Sequence, residues 1–255
     1  IARAGREPNR TNFVDADPAV PPPVAETLMD YEIGYSFKSR TVKASANYYF
    51  MDYTNQLVLT GAINDVGSAV MTNIRDSYRT GIELAAGAGL ASWLNWGFNM
   101  TLSRNRILKY SGYVDNWDYW NDPENEPYQV EEHLGTTNLS FSPSVLLNNQ
   151  FDFQPVKNMH LELASRYVGK QYIDNTSSES RKLDPYFVND LRISYSIFPQ
   201  YFKELSLQLL VMNLFNVEYE SNAWIYRYLL DGKEAYMDGY FPQAGIHFMA
   251  GVSLI

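Results

Sequence analysis

The chain has 255 residues, 45% of them hydrophobic and 15% aromatic, with 29 Asp and Glu against 20 Lys and Arg for a net charge of −9. It contains no cysteine, which excludes a disulfide framework and any thiolate metal or nucleophile site. The acidic balance without basic runs argues against a nucleic-acid partner, and the plentiful apolar residues argue against disorder.

No stretch approaches the ~18 consecutive apolar residues of a transmembrane helix. A transmembrane barrel stays open, because each of its strands needs only ~10 residues of alternating hydrophobicity. The opening IARAGREP has no apolar core or cleavage site of a signal peptide, so we expect a removed leader or a start in mid-protein.

From Met29 onward the hydrophobic period is two. Met29, Tyr31, Ile33, Tyr35 and Phe37 alternate with Asp30, Glu32, Gly34 and Ser36. Val42, Ala44, Ala46, Tyr48 and Phe50 alternate with Lys43, Ser45, Asn47 and Tyr49. Leu94, Trp96, Phe98, Met100 and Leu102 alternate with Asn95, Gly97, Asn99, Thr101 and Ser103. Leu191, Ile193, Tyr195 and Ile197 alternate with Asp190, Arg192, Ser194 and Ser196. Such alternation predicts strands with one apolar and one polar face. Strands are expected at 26–37, 41–58, 73–88, 93–109, 136–153, 158–173, 185–198, 204–218 and 240–255, after the tail of another at the start. No segment carries a capped 3.6-residue apolar stripe, so no long helix is expected.

The connections alternate in length. Short ones lie near Lys38–Arg40, Gly89–Ser92, Gln154–Lys157 and Pro199–Lys203, and long ones at 8–25, 59–72, 110–135, 174–184 and 219–239. Short turns at one end and long loops at the other describe an outer-membrane barrel, with the last strand descending to the periplasmic side. Alternation alone also fits a soluble sandwich. The barrel is favoured by long strands, by Tyr48, Tyr49, Tyr53, Trp93, Trp96, Tyr167 and Tyr172 near strand ends, and by a lumen face with both signs of charge. That face is expected to carry Asp30, Glu32, Lys43, Arg79, Glu83, Arg104, Glu162, Arg166, Asp190 and Arg192.

Four motifs in order resemble the TonB-dependent outer-membrane receptors. Asn213-Leu214-Phe215-Asn216 with Glu218-Tyr219-Glu220 is similar to the family's penultimate-strand motif. Tyr240-Phe241-Pro242-Gln243-Ala244-Gly245 and the alternating run to Ile255 look like its last strand. Pro23-Val24-Ala25-Glu26-Thr27-Leu28 leading to Tyr31-Glu32-Ile33-Gly34-Tyr35 resembles a segment that opens a mid-barrel strand. Asn73-Ile74 through Gly81-Ile82-Glu83-Leu84 resembles the segment after the next loop. Asn55–Gly61 looks most like receptors of the Bacteroides group.

The resemblance implies an all-β fold: a transmembrane antiparallel barrel in the bacterial outer membrane, of about 22 strands around a plug. Residues 1–255 would be its C-terminal portion of about ten strands, without the plug or the segment that contacts TonB. Phe248, Ala250, Val252 and Leu254 share one face, so residue 256 is expected to be the terminal aromatic of the family. The implied function is TonB-dependent import of an iron chelate, vitamin or oligosaccharide captured by extracellular loops. The implied partners are the TonB complex, outer-membrane lipid and a small-molecule or glycan ligand, with a surface lipoprotein cap as an option. The alternatives are a passive porin of about ten strands and a soluble sugar-binding β-sandwich.

Candidate substrate-binding residues lie in two long loops. The segment Tyr110–Glu132 offers Tyr113, Trp117, Tyr119 and Trp120, and the segment Ser221–Tyr240 offers Trp224, Tyr226 and Tyr228. Exposed aromatics stack on flat or sugar-like ligands, and mixtures of acids and aromatics attract cations. The bland reading is loop-to-loop packing. A calcium site from Asp115, Asp118, Asp122 and Glu124 is conceivable, but the spacing is not that of an EF-hand. The Gly61–Gly67 turn lacks the Lys and helix of a phosphate loop. His133, His160 and His247 form no metal motif, and there is no GxSxG elbow. No cofactor, metal or catalytic residue is expected.

Overall fold

The computed structural model of the protein describes residues 1–14, 16, 22–63, 67–201 and 203–255. The strands in chain order are β1 (Ala2–Arg6), β2 (Glu26–Lys38), β3 (Val42–Ile63), β4 (Ala69–Ala91), β5 (Leu94–Asn116), β6 (Gln129–Asn138), β7 (Val145–Phe153) and β8 (Met159–Val168). They continue as β9 (Gln171–Tyr172), β10 (Lys182–Leu183), β11 (Tyr186–Ile197), β12 (Leu205–Met212), β13 (Glu220–Leu230), β14 (Lys233–Pro242) and β15 (His247–Leu254). One short helix, α1 (Arg10–Val14), lies before β2.

Ten of these strands form one wall, in the order β1-β2-β3-β4-β5-β7-β8-β11-β12-β15. Each neighbour is antiparallel. This is the expected series of nine strands and a stub. The short connections meet at one end of the wall, where one bond closes the β2–β3 hairpin and two others tie neighbouring strands beside their turns. Ser39 N–H bonds Val42 O at 2.8 Å, Gln154 N–H bonds Trp93 O at 2.7 Å, and Ser196 N–H bonds Asn158 O at 3.0 Å.

The register sorts the side chains onto two faces. Ile33, Tyr48, Ile82, Leu102 and Val145 form one apolar row across five strands. Tyr35, Ala46, Leu84, Met100, Leu147, Tyr167 and Phe187 form the next across seven. These rows are not covered: Ile33 and Tyr35 are each 73% exposed. A soluble sandwich would bury such a face under a second sheet; this one is left for lipid. Several of its neutral polar groups are paired within the wall, as hydrocarbon demands. Trp96 Nε1–H donates to Asn149 Oδ1 at 2.7 Å, Ser165 Oγ–H to Asn189 Oδ1 at 2.7 Å, and Thr80 Oγ1–H to the Tyr49 carbonyl at 2.9 Å.

The other face carries Glu83 beside Asn47 and Thr101, and Glu162 between Asp152 and Arg192. Gly81 sits here because no side chain fits. A Cβ would lie 2.5 Å from the Leu102 carbonyl and 2.7 Å from the Tyr49 hydroxyl. Arg104 is not on this face, contrary to expectation. It shares the parity of Leu102 and pairs with Thr80, beyond Phe50 and Tyr31, so it stands on the outer face.

The strands differ from expectation where the long loops begin. β3, β4 and β5 run 22, 23 and 23 residues, about 75 Å at ~3.3 Å per residue, so they project well past an apolar band ~25 Å tall. The 110–135 loop is partly the continuation of β5 paired with β6, and the 219–239 loop is the hairpin β13–β14. Residues 136–153 divide between β6 and β7, and 158–173 between β8 and β9. Residues 64–66 of the Gly61–Gly67 turn lie outside the described residues.

The last two wall strands are shorter than expected, and the motif residues form the corner between them. β12 ends at Met212, and Asn213 and Asn216 come next with φ of 52° and 53°, a conformation Asn tolerates better than most residues. Asn213 is buried. Its Nδ2–H₂ donates to the Val217 carbonyl at 2.9 Å and the Ala244 carbonyl at 3.1 Å, and its Oδ1 accepts Val217 N–H at 2.8 Å. Asn216 Oδ1 accepts Ile246 N–H at 2.9 Å. Gly245 lets Asn216 approach, since a Cβ there would lie 2.5 Å from its Oδ1. Tyr240, Phe241 and Pro242 end β14, and β15 begins only at His247.

Candidate ligand-binding site among the loops

The site is built by hairpins that rise from the wall. Its buried apolar support is small and lies among them. One cluster is Val58, Ile74, Ile107 and Leu139; the other is Ile173, Leu183, Ala223 and Ile225.

The β13–β14 hairpin turns on Asp231-Gly232, both at positive φ (53° and 66°), the arrangement of a two-residue hairpin turn matched to strand twist. The Asp118 carboxylate holds this turn, accepting Asp231 N–H at 2.8 Å and Gly232 N–H at 2.9 Å. Asp118 is presented by a 3-10 turn, Trp117–Trp120, capped by Asn116. Tyr228 and Leu229 also pair in parallel with Asp115 and Asn116 of β5. The tip of one hairpin is thus fastened to the tip of the next.

The seven aromatics read from the sequence separate into two clusters and two single residues. Trp117 stacks on Tyr228 with centroids 4.0 Å apart and leans on Tyr226 at 6.2 Å. Tyr119 and Trp120 meet edge to face at 5.3 Å, with Tyr128 against both. Trp224 packs alone against β14, its indole filling the space over Gly239. Tyr113 stands apart from all of them and is 55% exposed.

A cavity of about 320 Å³ lies between these hairpins and the tops of β3, β4 and β5, lined among others by Tyr110, Tyr113, Asp115, Gln129, Asp174, Tyr226 and Arg227. Of the predicted residues only Tyr113 and Tyr226 line it. Trp117 and Tyr228 stand behind Tyr226, and Tyr119, Trp120 and Trp224 line other surfaces. The Tyr226 hydroxyl donates to Asp115 Oδ2 at 2.6 Å and accepts Trp117 Nε1–H at 3.1 Å. Burial, then the bond to the Asp115 carboxylate, pushes the Tyr226 hydroxyl up to about 12, so it stays a neutral donor. Gln129 Nε2–H donates to the other Asp115 oxygen at 2.8 Å.

A chain of ion pairs runs behind the cavity. Arg227 bridges Glu132 at 2.6 Å and Glu234 at 2.8 Å, and Arg181 bridges Glu234 and Asp174, both at 2.8 Å. The Arg181–Asp174 pair is deeply buried, with side chains 8% and 5% exposed. These pairs link three hairpins, and sequence reasoning does not find them. The Asp231-Gly232 dipeptide is the available signal for the β13–β14 hairpin; no local signal places Arg181 beside Asp174.

Three of the four carboxylates considered for calcium are committed separately. Asp115 holds Tyr226 and Gln129, Asp118 holds the β13–β14 turn, and Asp122 accepts Asn125 Nδ2–H at 3.0 Å. His133 Nδ1 lies 2.7 Å from Ser111 Oγ, and His247 Nδ1 lies 2.7 Å from the Gly245 carbonyl.

A family model for the TonB dependent receptor-like β-barrel matches residues 2–214. The chain belongs to the TonB-dependent receptor family. The fold agrees. The ferric yersiniabactin uptake receptor of Yersinia pestis aligns with a TM-score of 0.59 and 17% identity, over 99% of this chain and 34% of that one. The copper transporter OprC aligns at 0.63 and 15% identity, over 98% and 35%. The siderophore receptor PiuA of Acinetobacter baumannii aligns at 0.59 and 14% identity, over 89% and 28%. The LPS-assembly protein LptD of Haemophilus influenzae is 24% identical over 132 residues, 49% of this chain and 16% of that protein. The chain therefore spans about a third of the solved receptors' length and less of that relative. Membership in the TonB-dependent receptor family places the wall in the bacterial outer membrane, its uncovered apolar rows against lipid.

Proposed function

We propose that the chain is the C-terminal part of the barrel of an energised importer, with a plug and a TonB-contacting segment elsewhere in the same receptor. Binding energy comes from the extracellular hairpins, and plug movement driven through TonB releases the cargo inward. The reading is transport, with no catalytic residue assigned. A surface lipoprotein closing over the hairpins and the Bacteroides-type affiliation belong to the same proposal.

Among iron chelates, vitamins and oligosaccharides, the cavity favours an uncharged, hydroxyl-rich cargo. One observation carries this: the only guanidinium among its described lining residues, Arg227, is already held by two carboxylates. Four carboxylates, of Asp115, Asp174, Glu132 and Glu234, face two guanidiniums, of Arg181 and Arg227. An anionic chelate would have to displace those carboxylates and meet Asp115. A polyol replaces water on Asp115, Gln129 and Tyr226 while a ring rests on the exposed face of Tyr113. The volume is at the small end of ligand pockets, about 300–1,000 Å³.

The test is calorimetric titration of the intact receptor with neutral oligosaccharides of two to six sugars and with a ferric tris-catecholate. The reading expects a neutral sugar to bind and Asp115→Ala to weaken it by about ten-fold, the loss of a charge-assisted hydrogen bond. Tighter binding of the catecholate would refute the cargo class. Cellular uptake that survives collapse of the proton gradient would refute energised import.

A further inference from the structure

The outer face of the wall is free of charge over most of its height. Following the register, the charged side chains that point outward among the described wall residues are Arg3, Asp52, Asp76, Arg104 and Arg106. All five lie at the loop end of β1, β3, β4 and β5. Arg3, Met29, Asp52, Tyr78 and Arg106 form one continuous row across five strands. Tyr31, Phe50, Thr80 and Arg104 form the row below it. The rings of Tyr31, Phe50 and Tyr78 follow one another, the first pair tilted with centroids 6.4 Å apart and the second stacked at 5.8 Å, an aromatic girdle at the same height.

Arg104 and Arg106 stand on one face of β5, about 7 Å apart at ~3.3 Å per residue. Arg104 is exposed and Arg106 partly so. Neither has an ion-pair or hydrogen-bond partner among the described residues, unlike Arg181 and Arg227 and unlike Thr80, Trp96 and Ser165 of this face. Asp76 is occupied by Arg75 at 3.7 Å, and Asp52 lies two strands from Arg106, beyond Tyr78. Two unpaired guanidiniums on a lipid-facing surface have their stems in hydrocarbon and their heads at the headgroup level.

We propose that Arg104 and Arg106 form a binding site for the phosphate of a net-anionic outer-leaflet lipid headgroup, whose charge no choline or other cation of the same headgroup offsets. Guanidiniums suit phosphate oxygens because their N–H groups form a planar fork that can bond two oxygens at once. The neighbouring girdle fixes the height at which the headgroup meets them. The site explains why charge is admitted on the outer face at this level and nowhere lower.

The probe is a 1:1 mixture of phosphatidylglycerol and phosphatidylcholine in detergent micelles, added to the intact receptor, with retained lipids counted by native mass spectrometry. Wild type should retain phosphatidylglycerol in excess, and each arginine replaced by glutamine should reduce that excess about five-fold. Arg104→Lys/Arg106→Lys should keep most of it. The excess should fall in 1 M salt, a measurement that needs no variant. Equal retention of the two lipids by wild type, or an unchanged excess in Arg104→Gln/Arg106→Gln, would overturn the site. Retention of inorganic phosphate with no preference between lipids would show a free-phosphate site and overturn the lipid assignment. Cargo uptake is a separate readout, so either proposal can fail alone.

Discussion

Replacing Asn213 by alanine tests whether the corner between the last two wall strands is held by one side chain. Asn213 is 4% exposed and its amide makes three hydrogen bonds to backbone groups of Val217 and Ala244. At about 1 kcal/mol net for each bond, the amide contributes about 3 kcal/mol. Its φ of 52° adds to this, because a left-handed residue other than Gly or Asn costs about 1–2 kcal/mol. Asn213→Ala should therefore destabilise by about 4 kcal/mol. Asn213→Asp keeps the acceptor for Val217 N–H but turns a buried carboxylate oxygen on the Val217 and Ala244 carbonyls, so it should cost at least as much as alanine. The assay is urea unfolding of the receptor in lipid vesicles, monitored by tryptophan fluorescence and by the gel shift of the unheated barrel. A loss below about 1 kcal/mol for the alanine variant, within the range of ordinary surface changes, would refute the reasoning.

The same geometry makes three more predictions. Phe98→Arg places a charge on the lipid face and should cost about 2–4 kcal/mol, whereas Asn99→Arg, one residue on and facing the lumen, should cost under about 1; equal costs in the same unfolding assay would reverse the assignment of faces. Arg181→Ala strands the buried Asp174 carboxylate and should loosen the 174–182 segment by about 3–5 kcal/mol, read as faster protease nicking there; unchanged nicking would refute the ion-pair chain as a fastener. Tyr226 carries a folded value of about 12, above the free phenol's about 10, so its hold on β13 is complete below about pH 10 and is lost as pH rises through about 12. Tyr110 is also pushed up to about 12 by burial, so the test is the difference between titrations: absorbance at the tyrosinate band should show one fewer phenol ionising near the upper limit in Tyr226→Phe than in wild type, and identical titrations would contradict it.

The wall is legible in the sequence because one physical pattern writes it. A strand between lipid and a wet lumen must alternate, and Ile33, Tyr48, Ile82 and Leu102 mark the apolar side of four neighbouring strands in one row. The loops are not legible, because there the two-residue period no longer reports burial. β5 continues to Asn116, but the irregular pairing at Tyr110 and the positive φ of Lys109 break the alternation that marks its lower half. Arg104 misleads for the opposite reason. Its charge suggests the lumen, although its parity with Leu102 puts it outside.

The site aromatics divide along the same line. Composition can say that Trp117, Tyr119, Trp120, Trp224 and Tyr228 lie in loops, but a loop aromatic stacks on whatever the fold brings to it. Here the partners are mostly other loop aromatics: Trp117 finds Tyr228, and Tyr119 and Trp120 find Tyr128. Their work is to stiffen the hairpins. Contact with the cavity falls instead to Tyr226 and Tyr113, together with polar residues whose meaning depends on distant partners. Asp115 matters because Tyr226 reaches it across 111 positions of sequence, and Arg227 because Glu132 and Glu234 neutralise it first. Specificity in this site is therefore a property of which charges are already paired, and that can be read only once the hairpins are folded together.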